Sequence, residues 1–397
     1  MTEQQFRNLA DIDYPIIDAD AHVNEPPDLW QERVPARLRD RAPKIVRRDG
    51  GDWWSFDDGR RMKSVGLSTV AGMSVLDFVP SGRTYETMRP GSFDPKARLV
   101  DMDIDGVYAQ VLYPSVTLAG AQLYADAGEP ELQLACVRAY NDWLLEFCEG
   151  SGGRLVPQAV MPATNADDVL AEAQRVVALG HKGLVISTFP NGTVDPDLTL
   201  DAPFWRFCEE ANVPAAIHIG SFTRQRPVGQ MPDFRERAFL GISGAAKAGG
   251  ETIAVASDLL FAGFLEKFPK IKLVLVEANI GWIPTTLEQI DDMYLRFRFY
   301  TGQAEHDRRM PSELFRRGMW ATFMKDTVGL ELRHHMNLDQ IMWSTDYPHA
   351  GSDWPNSRVQ IESLFRGIPC GEVKRFLHTN AKRLYNLDDI PDSLAAT

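Results

Sequence analysis

Eight short apolar runs recur along the chain, at residues 14–20, 106–113, 155–160, 183–187, 214–219, 271–276, 319–323 and 340–343. Amphipathic stretches separate most of them; residues 132–149 and 166–179 carry apolar side chains at helical spacing. Runs of this length, bounded by polar residues, read as buried strands. Strand–helix alternation requires a parallel sheet, because a parallel neighbour can be reached only through a long crossover. Eight such units predict a TIM (β/α)8 barrel. A doubly wound open sheet is the competing architecture, but no glycine-rich dinucleotide turn follows the first run.

Residues 35–98 break the rhythm with clustered Arg, Asp, Gly and Trp, and the pair Asp58-Gly59 predicts a hairpin there. The chain therefore reads as one barrel domain over 1–397, with 35–98 inserted after the first strand as a cap on the barrel mouth. A second excursion, residues 221–270, follows the fifth strand.

Charge narrows the function. The chain has 42 Lys and Arg against 55 Asp and Glu, a net charge of −13. An acidic surface repels nucleic-acid phosphates and anionic lipid, so neither is expected as a partner. A small anionic substrate is still compatible if a cation waits in the pocket. Cys136, Cys148, Cys208 and Cys370 are scattered, without zinc-finger spacing. The N-terminal residues lack a signal-peptide pattern, and the apolar stretch 253–265 is interrupted by Ser257 and Asp258. A cytoplasmic protein is expected.

In a barrel, all C-terminal strand ends face one side. The first strand ends in Asp18-Ala-Asp20-Ala-His22, which puts three polar side chains on one face if the chain stays extended. His218 closes the fifth strand, Glu277 the sixth and Asp346 the eighth, with His349 three residues later. Singly, each acid reads as a helix cap and each histidine as a core residue. Together they converge on one point at the mouth and predict a divalent-metal site. Glu25 joins it if the loop after His22 turns back; otherwise it anchors the loop before Pro26. Arg224, with Arg226, is a candidate clamp for a substrate carboxylate, against a plain solvated loop. Asn279 and Trp282 are candidates for the pocket wall.

The order and spacing of several segments resemble the amidohydrolase superfamily. They are residues 17–22, 98–106, 140–143, the His218 strand, 268–272, 277–284, 344–349 and 380–385. Within it the chain is similar to the amidohydrolase-2 branch, near the aminocarboxymuconate-semialdehyde and resorcylate-type decarboxylases. The resemblance implies a distorted TIM (β/α)8 barrel with a metal at its mouth. It places metal ligands at Asp20, His22, His218 and Asp346, and gives Asp346 a second role in proton handling. Two departures matter. The sixth-strand position, histidine in many members, is Glu277. The fourth strand ends Val185-Ile-Ser-Thr188, with Lys182 at its beginning, so the lysine-bridged metal pair of some hydrolases is not expected.

Two imidazoles with carboxylates suit Zn²⁺, whereas the carboxylate-rich set Asp20, Asp346, Glu25 and Glu277 leans toward Mn²⁺ or Fe²⁺ and two ions. Three chemistries stay open on this reading. The metal activates water for hydrolysis with Asp346 as base; or it binds a substrate carboxylate for non-oxidative decarboxylation, with a protonated acid feeding the carbon; or a dinuclear site activates O2 for hydroxylation. His218 and His349 are the other candidate catalytic residues. A non-catalytic partner subunit is the reading from another class. A homo-oligomer, a dimer first, or an assembly with a related subunit is implied by the resemblance.

Overall fold

The first strand, β1 (Ile17–Val23), is buried at every residue, as a strand covered on both faces must be. The computed structural model describes residues 4–394, except 57–58, 80, 118–120, 122–123, 125–128, 196, 221–247, 300 and 302–308. After β1 come three strands of the insertion, β2 (Lys44–Arg48), β3 (Gly51–Phe56) and β4 (Arg61–Ser64). The barrel continues with β5 (Ala109–Pro114), β6 (Leu155–Val160), β7 (Gly183–Val185), β8 (Ala215–His218), β9 (Leu273–Val276), β10 (Met319–Phe323) and β11 (Ile341–Trp343). All eight predicted barrel strands are present. They form one parallel sheet in the order β1-β5-β6-β7-β8-β9-β10-β11.

The sheet curls until its ends meet. Asp346 N donates to Asp20 O at 2.9 Å and His22 N to Tyr347 O at 2.6 Å, so the chain just past β11 is tied to β1. The result is a nearly closed barrel with helices outside. Their boundaries follow from capping chemistry. Helix Ala166–Leu179 starts at Asn165, whose side chain accepts from Asp168 N, and stops at Gly180, which takes φ 113°. Val169, Ala173 and Val176 form its buried face against the barrel. Helix Pro95–Asp105 starts at the Asp94 cap with Pro95 in its first turn, and ends at Gly106 with φ 76°.

Within the insertion, β2, β3 and β4 form an antiparallel sheet. Asp49 and Gly50 link β2 to β3, and both have positive φ (52° and 76°), as a tight two-residue turn of this hand requires. The predicted hairpin at Asp58-Gly59 corresponds to the β3–β4 pair, in which Phe56 faces Arg61; Asp58 itself lies outside the described residues. The small sheet is fastened to the barrel at its mouth. Lys63 Nζ on β4 donates to Ser115 O and Val116 O, each at 2.8 Å, just past the C-terminal end of β5. Trp54 packs edge-on against Trp30, with ring centroids 4.8 Å apart. Of the second excursion, residues 221–247 lie outside the described residues, and Ala248–Phe261 is a helix. Among the described residues no helix is long and apolar enough to cross a membrane.

Candidate metal centre

Strand β1 delivers two polar side chains to the mouth, and the third takes another part. The β1–β5 pairing shifts register between Asp18 and Ala21. Asp18 therefore does not join Asp20 and His22, as strict alternation predicted. Its carboxylate accepts from Thr345 N (2.9 Å), Gln110 Nε2 (3.1 Å), Asp20 N (3.2 Å) and the Thr345 hydroxyl. It is a brace that joins β1 to the segment after β11.

His22 is fully buried, and its Nδ1 donates to Pro114 O at 3.0 Å. That bond leaves Nε2 as a bare lone pair aimed inward. His218, at the end of β8, repeats the arrangement with Nδ1 on Ile219 O at 2.9 Å. The two Nε2 atoms lie 3.0 Å apart. Two imine lone pairs at that distance repel unless a proton or a cation lies between them. Burial, then the facing imidazoles of His349 and His218, keeps His22 well below the ordinary histidine range. Burial also works against the charged form of His218, but Asp20 and then Glu277 outweigh it and raise the group to about 9.

Carboxylates complete the cluster. Asp20 Oδ1 lies 3.6 Å from both Nε2 atoms. Asp346 Oδ1 lies 3.4 Å from His22 Nε2. Both Asp20 oxygens and Asp346 Oδ1 are buried without a hydrogen-bond partner. A buried carboxylate oxygen left so costs several kcal/mol, roughly, unless it is neutralised or bound to a cation. Burial first, then the charge of Asp20, holds the Asp346 carboxyl well above its ordinary range. The donor set of two imidazoles and two carboxylates fits a divalent ion of the Mn²⁺, Fe²⁺ or Zn²⁺ kind. The tautomers fit too, since a metal-binding histidine characteristically donates its other ring N–H to a carbonyl.

Asp346 reaches the cluster through an unusual backbone. Its φ is 58°, in the left-handed region. Its Oδ2 lies where a β-carbon on Gly351 would approach to 2.5 Å, so residue 351 must lack a side chain for the carboxylate to sit there. His349 follows in the same turn. Its Nδ1 lies 3.1 Å from Asp346 Oδ1, its Nε2 lies 2.9 Å from Ser115 Oγ, and its ring stacks on His22 with centroids 3.8 Å apart.

The other expected residues fall into place differently. Glu277 also has positive φ (56°), and its Oε2 lies 3.8 Å from His218 Nε2, at the edge of the cluster with about a fifth of its side chain exposed. Burial, then Asp346, pushes its carboxyl well above the ordinary range. Glu25 is fully buried but turns away from the cluster. Both of its carboxylate oxygens accept from Val116 N, at 3.2 and 3.1 Å, so the loop after β1 does not turn back as a ligand would require. Trp282 is half-buried and packs beside the sixth-strand end. Its Nε1 donates to Ala278 O and Asn279 O, and its ring meets Phe315 edge-on. Asn279 is exposed, with φ 56°. Arg224 lies outside the described residues.

Three contributors were not foreseen. Lys63 brings a buried ammonium from the insertion to the carbonyls of Ser115 and Val116; burial lowers it to about 8, against the pull of Glu25. Ser115 directs His349; its place directly after β5 is the signal that strand-end reasoning offered. Arg98, wholly buried, donates to Gly91 O (2.7 Å), Gln110 Oε1 (2.9 Å) and the His22 carbonyl, behind Asp20 and His22.

Comparison with known proteins places this geometry in context. The amidohydrolase family model matches residues 17–387. Gamma-resorcylate decarboxylase from Polaromonas sp. strain JS666 is 24% identical over 328 residues, covering 78% of this chain and 94% of that protein. Among solved structures, an amidohydrolase from Mycobacterium avium subsp. paratuberculosis K-10 aligns with a TM-score of 0.71 at 18% identity, over 94% of this chain and 99% of that one. A dihydroxybenzoic acid decarboxylase from Polaromonas sp. JS666, with bound manganese and the inhibitor 2-nitroresorcinol, aligns with a TM-score of 0.61 at 19% identity, over 94% and 98%. At these identities the structural likenesses establish a shared fold.

Proposed function

The chain belongs to the amidohydrolase family, and from that premise we propose that it is a metal-dependent non-oxidative decarboxylase of a small aromatic carboxylic acid. The observation that carries the reading is the pair of imidazole Nε2 atoms, 3.0 Å apart, facing buried carboxylate oxygens that have no partner. Such a set is stable only around positive charge. The names of its relatives choose decarboxylation over hydrolysis: gamma-resorcylate decarboxylase in sequence, and a manganese-containing dihydroxybenzoic acid decarboxylase in fold. Manganese is the ion proposed, on the same carboxylate-rich chemistry.

Asp20, His22, His218 and Asp346 are the residues proposed to hold the ion. A divalent ion there supplies positive charge for the substrate's carboxylate and a neighbouring oxygen. The chain's own groups do the rest. His22 and His218 keep their Nδ1 protons on backbone carbonyls, which fixes both rings. Asp346 and Glu277 are the two carboxyl groups placed to hand a proton to the ring carbon. Burial raises both carboxyls well above the ordinary carboxylate range. As the C–H bond forms, the carbon–carboxyl bond breaks, its electron pair stays with the ring, and CO2 leaves. Lys63, bonded to the carbonyls of Ser115 and Val116, puts an ammonium of the insertion at the mouth, and it offers positive potential to an anionic substrate in a chain of net charge −13. Residues 35–98 are proposed to act as the cap of that mouth. A cytoplasmic homo-oligomer remains the proposed working form, the compartment on the scattered cysteines and the assembly on membership of the family.

The test is CO2 release from manganese-loaded protein with a panel of ortho-hydroxylated benzoates, 2,6-dihydroxybenzoate first. Metal-dependent release that is abolished in His218→Ala supports the reading. Metal-dependent hydrolysis of esters or amides, with no CO2 from any member of the panel, would overturn it.

A further inference from the structure

We infer that the proton spent in each turnover returns to Asp346 from behind the barrel mouth, through a one-water cavity bordered by Ser344 and closed at the surface by the Lys325–Asp353 ion pair. The inference rests on the proposed decarboxylation and deepens it. Forming a C–H bond as CO2 leaves consumes one proton, so the acid that supplies it must be recharged from solvent every turnover.

The two candidate acids meet solvent differently. Glu277, with about a fifth of its side chain exposed, meets water only on the side of the mouth where substrate sits. Asp346 has a second side. Its Oδ1 faces His22 Nε2 and His349 Nδ1, at 3.4 and 3.1 Å. Its Oδ2 lies against Gly351, 2.5 Å from where a β-carbon would stand. Met324 Cε and Sδ lie 3.2 and 3.3 Å from that same point. Asp346 Oδ2, Gly351 and Met324 therefore meet within a few ångströms of one another.

Gly351 and Met324 also line a cavity behind the carboxyl, together with Ser344, Lys325 and Asp353. The space in it for the centre of a water is about 10 Å³, the room that one molecule needs. Ser344 is buried, and among the described residues its Oγ has no hydrogen-bond partner. A buried hydroxyl left so costs free energy, and a water in the cavity it borders is the partner at hand. The outer end is polar. Lys325 Nζ and Asp353 Oδ2 pair there, with 50% and 28% of their side chains exposed. A pair as exposed as this one holds weakly, so it admits exchange with solvent.

The proton then moves in two steps. A water beside Ser344 gives one proton to Asp346 Oδ2 and takes one from solvent through the Lys325–Asp353 end. Rotation about the Asp346 Cβ–Cγ bond, a torsion with broad minima, exchanges the two oxygens and carries the O–H to the mouth. The missing β-carbon of Gly351 leaves that rotation its space. Asp346 is thereby the recharged acid, and Ser344, Lys325 and Asp353 act through it as positioning residues.

The experiment is rapid-quench measurement of CO2 release from manganese-loaded full-length protein with 2,6-dihydroxybenzoate. Ser344→Val fills the cavity with methyl groups. Its first turnover, run on the proton already held, should match wild type. Later turnovers should be at least about tenfold slower, giving a burst of about one CO2 per chain. The slow phase should carry a larger solvent deuterium isotope effect than wild type, with KM and manganese content unchanged. Ser344→Ala removes the hydroxyl without adding bulk and should show the same burst with a fall of a few-fold. A first turnover slowed as much as the later ones in these variants would overturn the rear path and leave the decarboxylase reading intact. So would wild-type steady rates in folded Ser344→Val. No CO2 from wild type with any ortho-hydroxylated benzoate would overturn both.

Discussion

Asp346 is joined to Asp20 through the backbone: the amide of one donates to the carbonyl of the other at 2.9 Å, across the line where the barrel closes. These two carboxylates, each with buried oxygens that lack a hydrogen-bond partner, are thus neighbours because the ends of the barrel sheet meet. An open sheet would leave them at opposite edges. Site and closure share the same few residues, since Asp18 braces Thr345 in the same seam. This linkage lets charge and geometry be separated by substitution.

Asp346→Asn removes the charge and keeps the shape. Asparagine tolerates the φ of 58° better than most residues, so the turn should survive. Decarboxylation should fall by roughly 10²- to 10⁴-fold, the scale of a lost acid–base group, with weaker metal binding. Turnover, metal content and circular dichroism together check this. Near wild-type turnover in the folded variant would remove Asp346 from its assigned role.

Gly351→Ala tests the seat of that carboxylate. The new β-carbon would lie 2.5 Å from Asp346 Oδ2, so the carboxylate or the loop must move. A fall in manganese affinity of at least tenfold is expected, with a loss of about 1–3 kcal/mol in stability from overpacking. Gly250→Ala is the control: nothing lies within 4 Å of its β-carbon position, and both quantities should hold or improve slightly. Equal affinities in the two variants would mean that the contact with Gly351 does not set the position of Asp346.

Arg98→Lys probes support from behind. The guanidinium makes three separate bonds, to Gly91 O, Gln110 Oε1 and His22 O, and lies over the Tyr347 ring at 4.3 Å. A single ammonium cannot reproduce that fork, and the site is fully buried. Unfolding in urea should show a loss of about 3–5 kcal/mol. Manganese affinity should fall about 10- to 100-fold as His22 loses its fixed backbone. A destabilised variant with unchanged affinity would confine Arg98 to the fold.

The sequence made the barrel legible because each strand is a short apolar run covered on both faces, and Ile17–Val23 or Leu155–Val160 has no other way to be buried. It made the strand-end cluster legible for the same reason, since Asp20, His22, His218 and Asp346, which the structure brings together, lie at or just past strand ends. What it could not supply was the local backbone. Strict alternation placed Asp18 with Asp20, but a shift of register in β1 sends Asp18 to Thr345 instead. Three residues past His22, Glu25 could turn either way, and the amide of Val116, 91 residues distant in sequence, decided it. Lys63 was invisible because it reaches the mouth from an inserted sheet whose docking depends on contacts such as Trp30 with Trp54, which no periodicity encodes.

Glu25 gives a pH test independent of the metal cluster. Burial raises its carboxyl from the ordinary 4.5 to about 8, and the Val116 amide and the Lys63 charge only partly offset that rise. A carboxyl raised on folding keeps its proton in the folded chain and loses it on unfolding. Its stabilising contribution is therefore complete below about pH 4.5 and is lost as pH rises toward 8. Lys63, lowered to about 8, is charged in both states below that pH and adds little slope. Between pH 5.5 and 7.5, one proton contributes at most about 1.4 kcal/mol per pH unit, so roughly 2 kcal/mol of stability should disappear on this account. Glu25→Gln can still accept from Val116 N but cannot ionise. Its urea midpoint should therefore fall less steeply with pH than that of wild type, whose other buried carboxyls are common to both proteins. Parallel midpoints across that window would show that Glu25 is already ionised in the folded chain, paired with Lys63 as a buried salt link.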